Sequence, residues 1–139
     1  MRFNAEKTDT RREMGRGLKE MLKEGAEKIT VSSLAEYCQI HRNTFYYHFS
    51  EIEELTEWII ADDLKETDPC EYVNQERDFL KYAYKLLGYE WFTACFREGL
   101  ILTDELTKDL ICAITVLAVR YPQRYTPEKV RELLNGKEG

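Results

Sequence analysis

Start and stop signals for α-helices divide this chain into short segments, and they constrain its fold more than any other feature of the sequence. Several residue pairs have the spacing of a helix N-terminal cap. In such a cap a side-chain oxygen accepts a hydrogen bond from a backbone amide in the first turn of the helix, and a carboxylate three residues later or a proline at the first helical position supports it. These pairs are Thr10 with Glu13, Ser50 with Glu53, Asp68 with Pro69, and Thr126 with Pro127. They predict an all-α protein made of short helices.

The apolar periodicity between these signals sets the predicted helix bounds. The predicted helices are 10–24, 31–38, 42–48, 51–66, 69–87, 90–98, 104–120 and 127–135. Met14 and Leu18 in the first helix, and Leu55 and Ile59 in the fourth, have the spacing of a core-facing stripe. No segment has the alternation of a half-buried strand, so the predicted fold class is all-α.

Glycines occur at two kinds of position relative to the predicted helices, at their ends and inside the first one. Glycines at 25, 88, 99 and 136 lie where helical periodicity ends, which is typical of the left-handed residue that closes a helix. Gly15 and Gly17 lie inside the first helix, where each costs roughly 1 kcal/mol relative to alanine. We therefore expect close packing against the first helix at these two positions.

The charge of the chain changes sign along its length, although the net charge is -6. Residues 1–50 contain nine Lys and Arg against seven Asp and Glu, whereas residues 51–139 contain eleven against nineteen. We therefore predict two domains, a basic one at 1–50 and an acidic one at 51–139. Any contact with a polyanion is expected in the first.

Features that would place the chain in or across a membrane are absent from the sequence. The longest nearly unbroken apolar run, Leu110–Val119, is half of the roughly 20 residues that a spanning helix needs. The N-terminal sequence lacks the apolar stretch of a secretory signal. The four cysteines are irregularly spaced within predicted helices, as is typical of free thiols in a reducing compartment. These observations predict a cytoplasmic protein with no membrane partner.

The segment 31–48 has the pattern of a helix-turn-helix, two short helices joined by a tight turn. Leu34, Ala35 and Ile40 are expected to face inward, and the small side chain of Ala35 allows the helices to cross closely. The second helix exposes polar side chains with no carboxylate among them, and such a surface suits a polyanion. These residues are Arg42, Asn43, Thr44, Tyr46, Tyr47 and His48.

Over about residues 10–60 the sequence resembles the TetR/AcrR family of bacterial transcriptional regulators. The residues that match the family pattern are Ile29-Thr30-Val31, Leu34-Ala35 and Thr44-Phe45-Tyr46-Tyr47-His48-Phe49. The resemblance implies an N-terminal three-helix helix-turn-helix domain followed by a small helical domain for dimerisation and effector binding. It also implies a repressor that acts as a homodimer on a palindromic operator in double-stranded DNA.

The same resemblance implies a role for each matched side chain. Phe45 and Phe49 would anchor the second helix in the core, Thr44 and Tyr47 would contact bases or the groove, Tyr46 and His48 would contact phosphates, and Thr30 would cap a helix and contact a phosphate. Arg42 and Asn43 complete the predicted DNA-binding set. Arg11, Arg12, Arg16 and Lys19 on the first helix would either flank the DNA backbone or only face solvent.

The chain departs from the family pattern around this segment. Gln39, His41 and Asn43 stand where glycine or serine is usual, and Ile52 replaces the usual phosphate-binding lysine. The acidic residues that follow, Glu51 among them, would oppose a phosphate backbone. The alternative is therefore an adaptor or co-regulator that retains the fold and acts through protein contacts without binding DNA.

The region after residue 60 is predicted to be a shortened helical domain. Its aromatic residues have helical spacing, which favours a packed core over an effector pocket. The segment Leu110–Val119 is apolar nearly all round, so we expect burial on both sides and a subunit interface shared with the final helix, Val130 to Leu134.

Catalytic and metal chemistry have no candidate site in the sequence. No Ser/His/Asp, Cys/His or glycine-rich phosphate-binding arrangement is present, so we expect no enzyme and no cofactor. Cys38, His41 and His48 lack a fourth ligand for zinc, and the adjacent Asp62 and Asp63 point apart on a helix. Tyr37 and Cys38 are instead predicted to be core residues.

Overall fold

The computed structural model describes residues 7–101 and 103–135, and every regular element in that part of the chain is an α-helix. The predicted all-α fold class is confirmed. The helices are α1 Lys7–Lys23, α2 Val31–Cys38, α3 Arg42–His48, α4 Ile52–Glu66, α5 Pro69–Gln75, α6 Arg77–Leu87, α7 Tyr89–Gly99, α8 Glu105–Arg120 and α9 Pro127–Asn135. Gly136, predicted to close the last helix, lies outside the described residues.

Two of the predicted helix bounds are wrong. The helix α1 already includes Lys7, so Thr10 lies within the helix and is buried instead of capping its start. The predicted helix 69–87 is two helices, because Glu76 has φ −114° and ψ 38°, outside the helical region. Arg77, directly after the break, donates to the carbonyl of Tyr125 at 2.7 Å. A tertiary bond of this kind leaves no local signal in the sequence.

Two of the other predicted caps are confirmed, whereas the predicted pairing of Ser50 with Glu53 is wrong. Asp68 accepts from the Glu71 amide at 3.2 Å, and Thr126 accepts from the Lys129 amide at 3.3 Å. At the start of α4 the Ser50 amide donates to Glu54 at 2.9 Å, so the capping carboxylate is not that of Glu53. This hydrogen bond lowers the pKa of Glu54.

Two of the predicted helix-closing glycines have a positive φ. Gly25 has φ +104° and Gly88 has φ +89°, which other residues rarely adopt. The prediction is wrong for Gly99, which is the last residue of α7 and has no positive φ. A Cβ at Gly99 would lie 2.6 Å from the Leu64 side chain, so close packing explains this glycine.

The chain forms two compact units that divide after Ile59, inside α4. The predicted division after Ser50 comes earlier, because the first turns of α4 carry side chains that pack in the first unit. Trp58 has its ring 6.2 Å from that of Phe49, and Ile59 contacts the backbone of α1 at Gly15. The assignment of DNA binding to one domain and dimerisation to the other stays a prediction.

The second unit packs α5, α8 and α9 around an apolar cluster. The buried members are Cys70, Val73, Ile114, Ala118 and Val130. Because Val130 is fully buried in this cluster, it is not available for the predicted subunit interface. The predicted aromatic core is present in part: Phe92 and Phe96 are buried with ring centroids 5.2 Å apart, whereas Trp91 is 37% exposed.

One side of helix α8 is buried within the single chain, and the predicted burial of its other side at a subunit interface stays a prediction. Ile111, Ile114 and Thr115 are buried, but Leu106 and Ala113 are exposed. The helix therefore presents apolar side chains to solvent. Among the described residues no helix is both long enough and apolar enough to cross a membrane.

We predict that Gly17→Ala lowers the free energy of unfolding. A Cβ at this position would lie 2.5 Å from the Cys38 sulfur, in the contact between α1 and α2. Overpacking of this kind costs about 1–3 kcal/mol, which exceeds the gain of roughly 1 kcal/mol from better helix propensity. Urea denaturation of the two proteins measures the difference.

The Cys38→Ala background supplies the control for this substitution. Without the sulfur, the nearest atoms to the added methyl group belong to Tyr37 and Leu34, at 3.6 and 3.7 Å, which is ordinary contact. There we expect Gly17→Ala to be neutral or stabilising. Equal or higher stability of Gly17→Ala in the unmodified chain would contradict the packing argument.

Candidate nucleic-acid interface

Helix α2 begins with a reciprocal cap formed by Thr30 and Ser33. The Thr30 hydroxyl accepts from the Ser33 amide at 3.0 Å, and the Ser33 hydroxyl accepts from the Thr30 amide at 3.0 Å. The predicted capping role of Thr30 is confirmed. Its side chain is exposed beside this cap, and its phosphate contact stays a prediction.

The turn between α2 and α3 depends on a left-handed residue that is not glycine. Gln39 has φ 60° and ψ 45°, and its amide donates to the Glu36 carbonyl at 3.1 Å. The Ile40 amide donates to the Ala35 carbonyl at 2.9 Å, which completes the helix end. Gln39 thus takes the position where the family pattern has glycine, at a cost of roughly 1–2 kcal/mol.

Helix α3 is anchored by the two phenylalanines that the sequence predicted. Phe45 is fully buried and Phe49 is 7% exposed. Their ring centroids are 5.8 Å apart, and Phe49 also contacts the ring of Trp58. Because α3 has only seven residues, it is too short to be stable alone, and these rings fix which side of it faces outward.

The side of α3 opposite Phe45 carries four exposed residues at the i, i+1, i+4 and i+5 positions of one helix face. They are Arg42, Asn43, Tyr46 and Tyr47. Tyr47 is 82% exposed and Tyr46 is 50% exposed, which are high values for large rings. Arg42 donates to the Ser32 hydroxyl at 3.1 Å, a contact with α2 that the sequence did not indicate.

Thr44 and His48, the other two predicted contact residues of α3, are half-buried. The His48 ring meets Tyr47 edge to face, with 5.0 Å between the ring centroids. Burial lowers the pKa of His48, and the nearby positive charge of Arg11 lowers it further. At neutral pH this side chain is therefore an uncharged hydrogen-bonding group instead of a cation.

The basic residues of α1 take part in contacts of their own. The Arg11 guanidinium lies 5.1 Å from the centre of the Trp58 ring, and Arg16 forms an ion pair with Glu13 at 2.7 Å. Both arrangements leave a positive charge near the surface of the first unit. The contact of these charges with the DNA backbone stays a prediction.

Tyr37 is not a core residue, in contrast to the prediction. Its side chain is 37% exposed, and its hydroxyl donates to Glu24 at 3.0 Å and to Glu20 at 3.3 Å. The hydrogen bond to Glu24 is the main cause that raises the pKa of Tyr37 to about 12. Cys38 is half-buried, and burial raises the pKa of its thiol to about 11.

The residues after α3 offer no replacement for the phosphate-binding lysine of the family pattern. Ile52 is buried in the core, with 7% of its surface exposed. Glu51 is exposed, and Glu54 is engaged as the cap of α4. A phosphate backbone near this end of α3 would meet negative charge.

Metal ligands do not converge in the part of the chain that the structure describes. No group of three or more His, Cys, Asp or Glu side chains there could hold an ion. Cys38, His41 and His48, considered in the sequence for zinc, form no such group.

Comparison with known proteins finds a helix-turn-helix regulator. The chain is 30% identical over 79 residues to the HTH-type dhaKLM operon transcriptional activator DhaS of Lactococcus lactis subsp. lactis (strain IL1403). The match covers 56% of this chain but only 40% of the length of that relative. No protein-family model and no solved structure matches the chain. The similarity supports a helix-turn-helix transcription regulator in general.

We predict that the stability of the first unit decreases as the pH is lowered, because of His48. Its pKa is lowered in the folded chain, so the unfolded chain binds more protons as the pH falls through about 6.5, the ordinary histidine pKa. The contribution of neutral His48 is complete above that pH and is lost below it. Thermal unfolding of the unmodified chain and of His48→Gln between about pH 8 and pH 5.5 measures this contribution.

His41 provides the matched control, because it is exposed at the start of the same helix. We expect His41→Gln to retain the pH dependence of the unmodified chain, and His48→Gln to lose part of it. The same pH dependence in the unmodified chain and in His48→Gln would show that His48 is not the responsible group.

Proposed function

We propose that this chain is a TetR-like transcription regulator that binds double-stranded DNA through the exposed face of α3. The observation that carries the proposal is the exposure of Arg42, Asn43, Tyr46 and Tyr47 on one side of a helix that Phe45 anchors from the other. The major groove is wide enough to admit an α-helix, and these side chains can donate to or accept from base edges and phosphates. The similarity to a helix-turn-helix activator supports this class.

The remaining predicted contacts belong to the same proposal. Thr30 would contact a phosphate from the start of α2, and Thr44 and His48 would contact DNA from the edges of the exposed face. His48 would act as a neutral hydrogen-bond donor, because its pKa is lowered. Neutral His48 and buried Ile52 provide no positive charge for a phosphate, and exposed Glu51 would repel one. Because each ionic phosphate contact makes DNA affinity more sensitive to salt, we expect the affinity to fall only slightly as the salt concentration rises.

A homodimer on a palindromic operator is the second part of the proposal. The exposed apolar residues of α8, Leu106 and Ala113, with half-buried Leu110 and Leu117, lie at helical spacing on one face. Such a face is suited to packing against the same face of a second copy. A two-fold dimer would read half-sites separated by about one helical turn or a multiple of it.

We propose repression as the sign of regulation. The family resemblance favours a repressor, whereas the Lactococcus relative is described as an activator. A reporter gene placed behind the bound site, with and without the protein, distinguishes the two. A small-molecule effector in the second unit and a cytoplasmic location also remain proposals.

An adaptor without DNA binding is the second candidate function. The observation that favours it is the combination of Ile52 in the core with exposed Glu51 directly after α3. Such a protein would use the same exposed tyrosines for a protein partner. The experiment below separates the two functions.

We predict that the purified chain enriches one palindromic sequence from fragmented genomic DNA of its source, and that Tyr47→Ala loses it. Losing a good base contact costs about 1–3 kcal/mol of discrimination, so the enrichment should fall at least several-fold. Binding at about 50 mM and about 200 mM salt, followed by sequencing of the bound fragments, measures both site and salt dependence.

Tyr89→Ala is the matched control, since Tyr89 is an exposed tyrosine in the second unit, with 60% of its surface accessible. This variant should retain the enrichment. If folded, dimeric protein enriched no DNA sequence, this result would contradict sequence-specific DNA binding and favour the adaptor function.

A further inference from the structure

A cavity of about 450 Å³ lies in the first unit, between α1 and the turn that joins α2 to α3. Its volume is within the range of about 300–1,000 Å³ that small-molecule sites occupy. Of its lining residues, Thr44 belongs to the proposed DNA-binding set and Arg16 to the basic residues of α1, and most of the others have no assigned role. DNA binding therefore does not explain why this cavity is present.

Apolar atoms form one part of the cavity wall. Met14 is almost completely buried and Ile40 is half-buried, and both contribute to the lining. Gly17 contributes no side chain, and a Cβ there would collide with the Cys38 sulfur that also lines the cavity. An apolar group placed here would be removed from water on several sides.

Charged groups form the other part of the wall. Glu13 and Glu20 bring two carboxylates, and Arg16 brings one guanidinium. The pair between Glu13 and Arg16 is exposed, so it holds the arginine only weakly. Glu20 accepts a hydrogen bond from Tyr37, which also lines the cavity and positions that carboxylate.

The electrostatic field at the wall disfavours negative charge. The pKa of Tyr37 is raised to about 12, chiefly by its hydrogen bond to Glu24, and the negative charges of Glu24 and Glu20 add to the effect. The pKa of Cys38 is raised to about 11 by burial, with a further contribution from Glu13 and Glu20. The same carboxylates would stabilise a cation brought into the cavity.

We infer that the cavity is a binding site for a small organic cation with an apolar body, such as an arylalkyl ammonium ion. The apolar body would pack against Met14, Gly17 and Ile40, and the ammonium group would donate to the carboxylates of Glu20 and Glu13. This combination of an apolar wall and a few placed polar groups is typical of ligand sites. The site requires neither DNA nor a second copy of the chain.

Occupancy of this site would place a ligand directly beside α3. Thr44 and His41, at the start of that helix, belong to the lining. An effect on DNA affinity would rest on the proposed function. The binding experiment contains no DNA, so the failure of one proposal is distinguishable from the failure of the other.

The test is calorimetric titration of the full chain with three ligands that have similar shape and different charge. Phenethylamine carries the ammonium group, phenethyl alcohol is neutral, and hydrocinnamate is an anion. Because the Glu20 carboxylate is exposed, its pairing with the ammonium group is weakened by solvent, and we expect phenethylamine to bind about two- to fivefold tighter than the alcohol. Hydrocinnamate should bind most weakly.

A matched pair of variants locates the site. Glu20→Gln keeps the size of the side chain and removes the charge, and it should abolish most of the preference for phenethylamine over the alcohol. Glu36→Gln removes an exposed carboxylate of α2 that does not line the cavity, and binding should be unchanged. Thermal unfolding of both variants verifies that they are folded.

The proposal is overturned by any of several results. These are equal binding of the amine and the alcohol, tightest binding of hydrocinnamate, and retention of the amine preference in folded Glu20→Gln. Absence of phenethylamine binding up to about 10 mM, a weak-binding limit that corresponds to roughly 3 kcal/mol of binding free energy, also overturns it.

Discussion

The burial of Phe45 and Phe49 is the interaction on which the outward surface of this protein depends. Helix α3 has seven residues, so its own hydrogen bonds do not hold it in a helical conformation in water. The two rings tie it to the first unit through contacts that continue to Trp58 on α4. Because Phe45 is fixed inward, Tyr46 and Tyr47 are left exposed, and they are available for binding without any rearrangement of the core.

Close approach of the neighbouring helices supports this anchoring. Gly17 lets α2 approach α1 at Cys38, and Gly15 lets Ile59 approach α1 from α4. The turn at Gln39 then sets the direction in which the chain enters α3. A strained residue at this position indicates that the geometry of the turn is imposed by the packing on either side of it. The same arrangement leaves the cavity between α1 and the turn.

Local signals were sufficient to predict α2 and α3 with the bounds that the structure shows, 31–38 and 42–48, because caps and apolar spacing are encoded within a few residues. The anchoring role of Phe45 was implied by the family resemblance, and its burial confirms it. The break at Glu76 and the exposure of Tyr37 were not predictable in this way. The first coincides with a bond from Arg77 to a distant carbonyl, and the second depends on carboxylates of a different helix.

The sequence predicted which residues belong to the candidate site, but not which of their side chains are exposed. Sequence reasoning expected all six polar residues of α3 to be exposed, whereas the structure separates four exposed ones from half-buried Thr44 and His48. The lowered pKa of His48 requires both its burial and the position of Arg11, which lies far away in sequence. The cavity was not predicted, because its walls come from two segments that are separate in sequence, α1 and the turn between α2 and α3.

The central claim is that the exposed face of α3 contacts DNA, and photo-crosslinking tests it most directly. A benzophenone side chain replaces Tyr47 in one sample and Tyr89 in another, and each protein is irradiated with duplex DNA at about 50 mM salt, where phosphate contacts are strongest. The account predicts DNA crosslinks from position 47 and few or none from position 89. Equal crosslinking at both positions, or none at position 47, would contradict it.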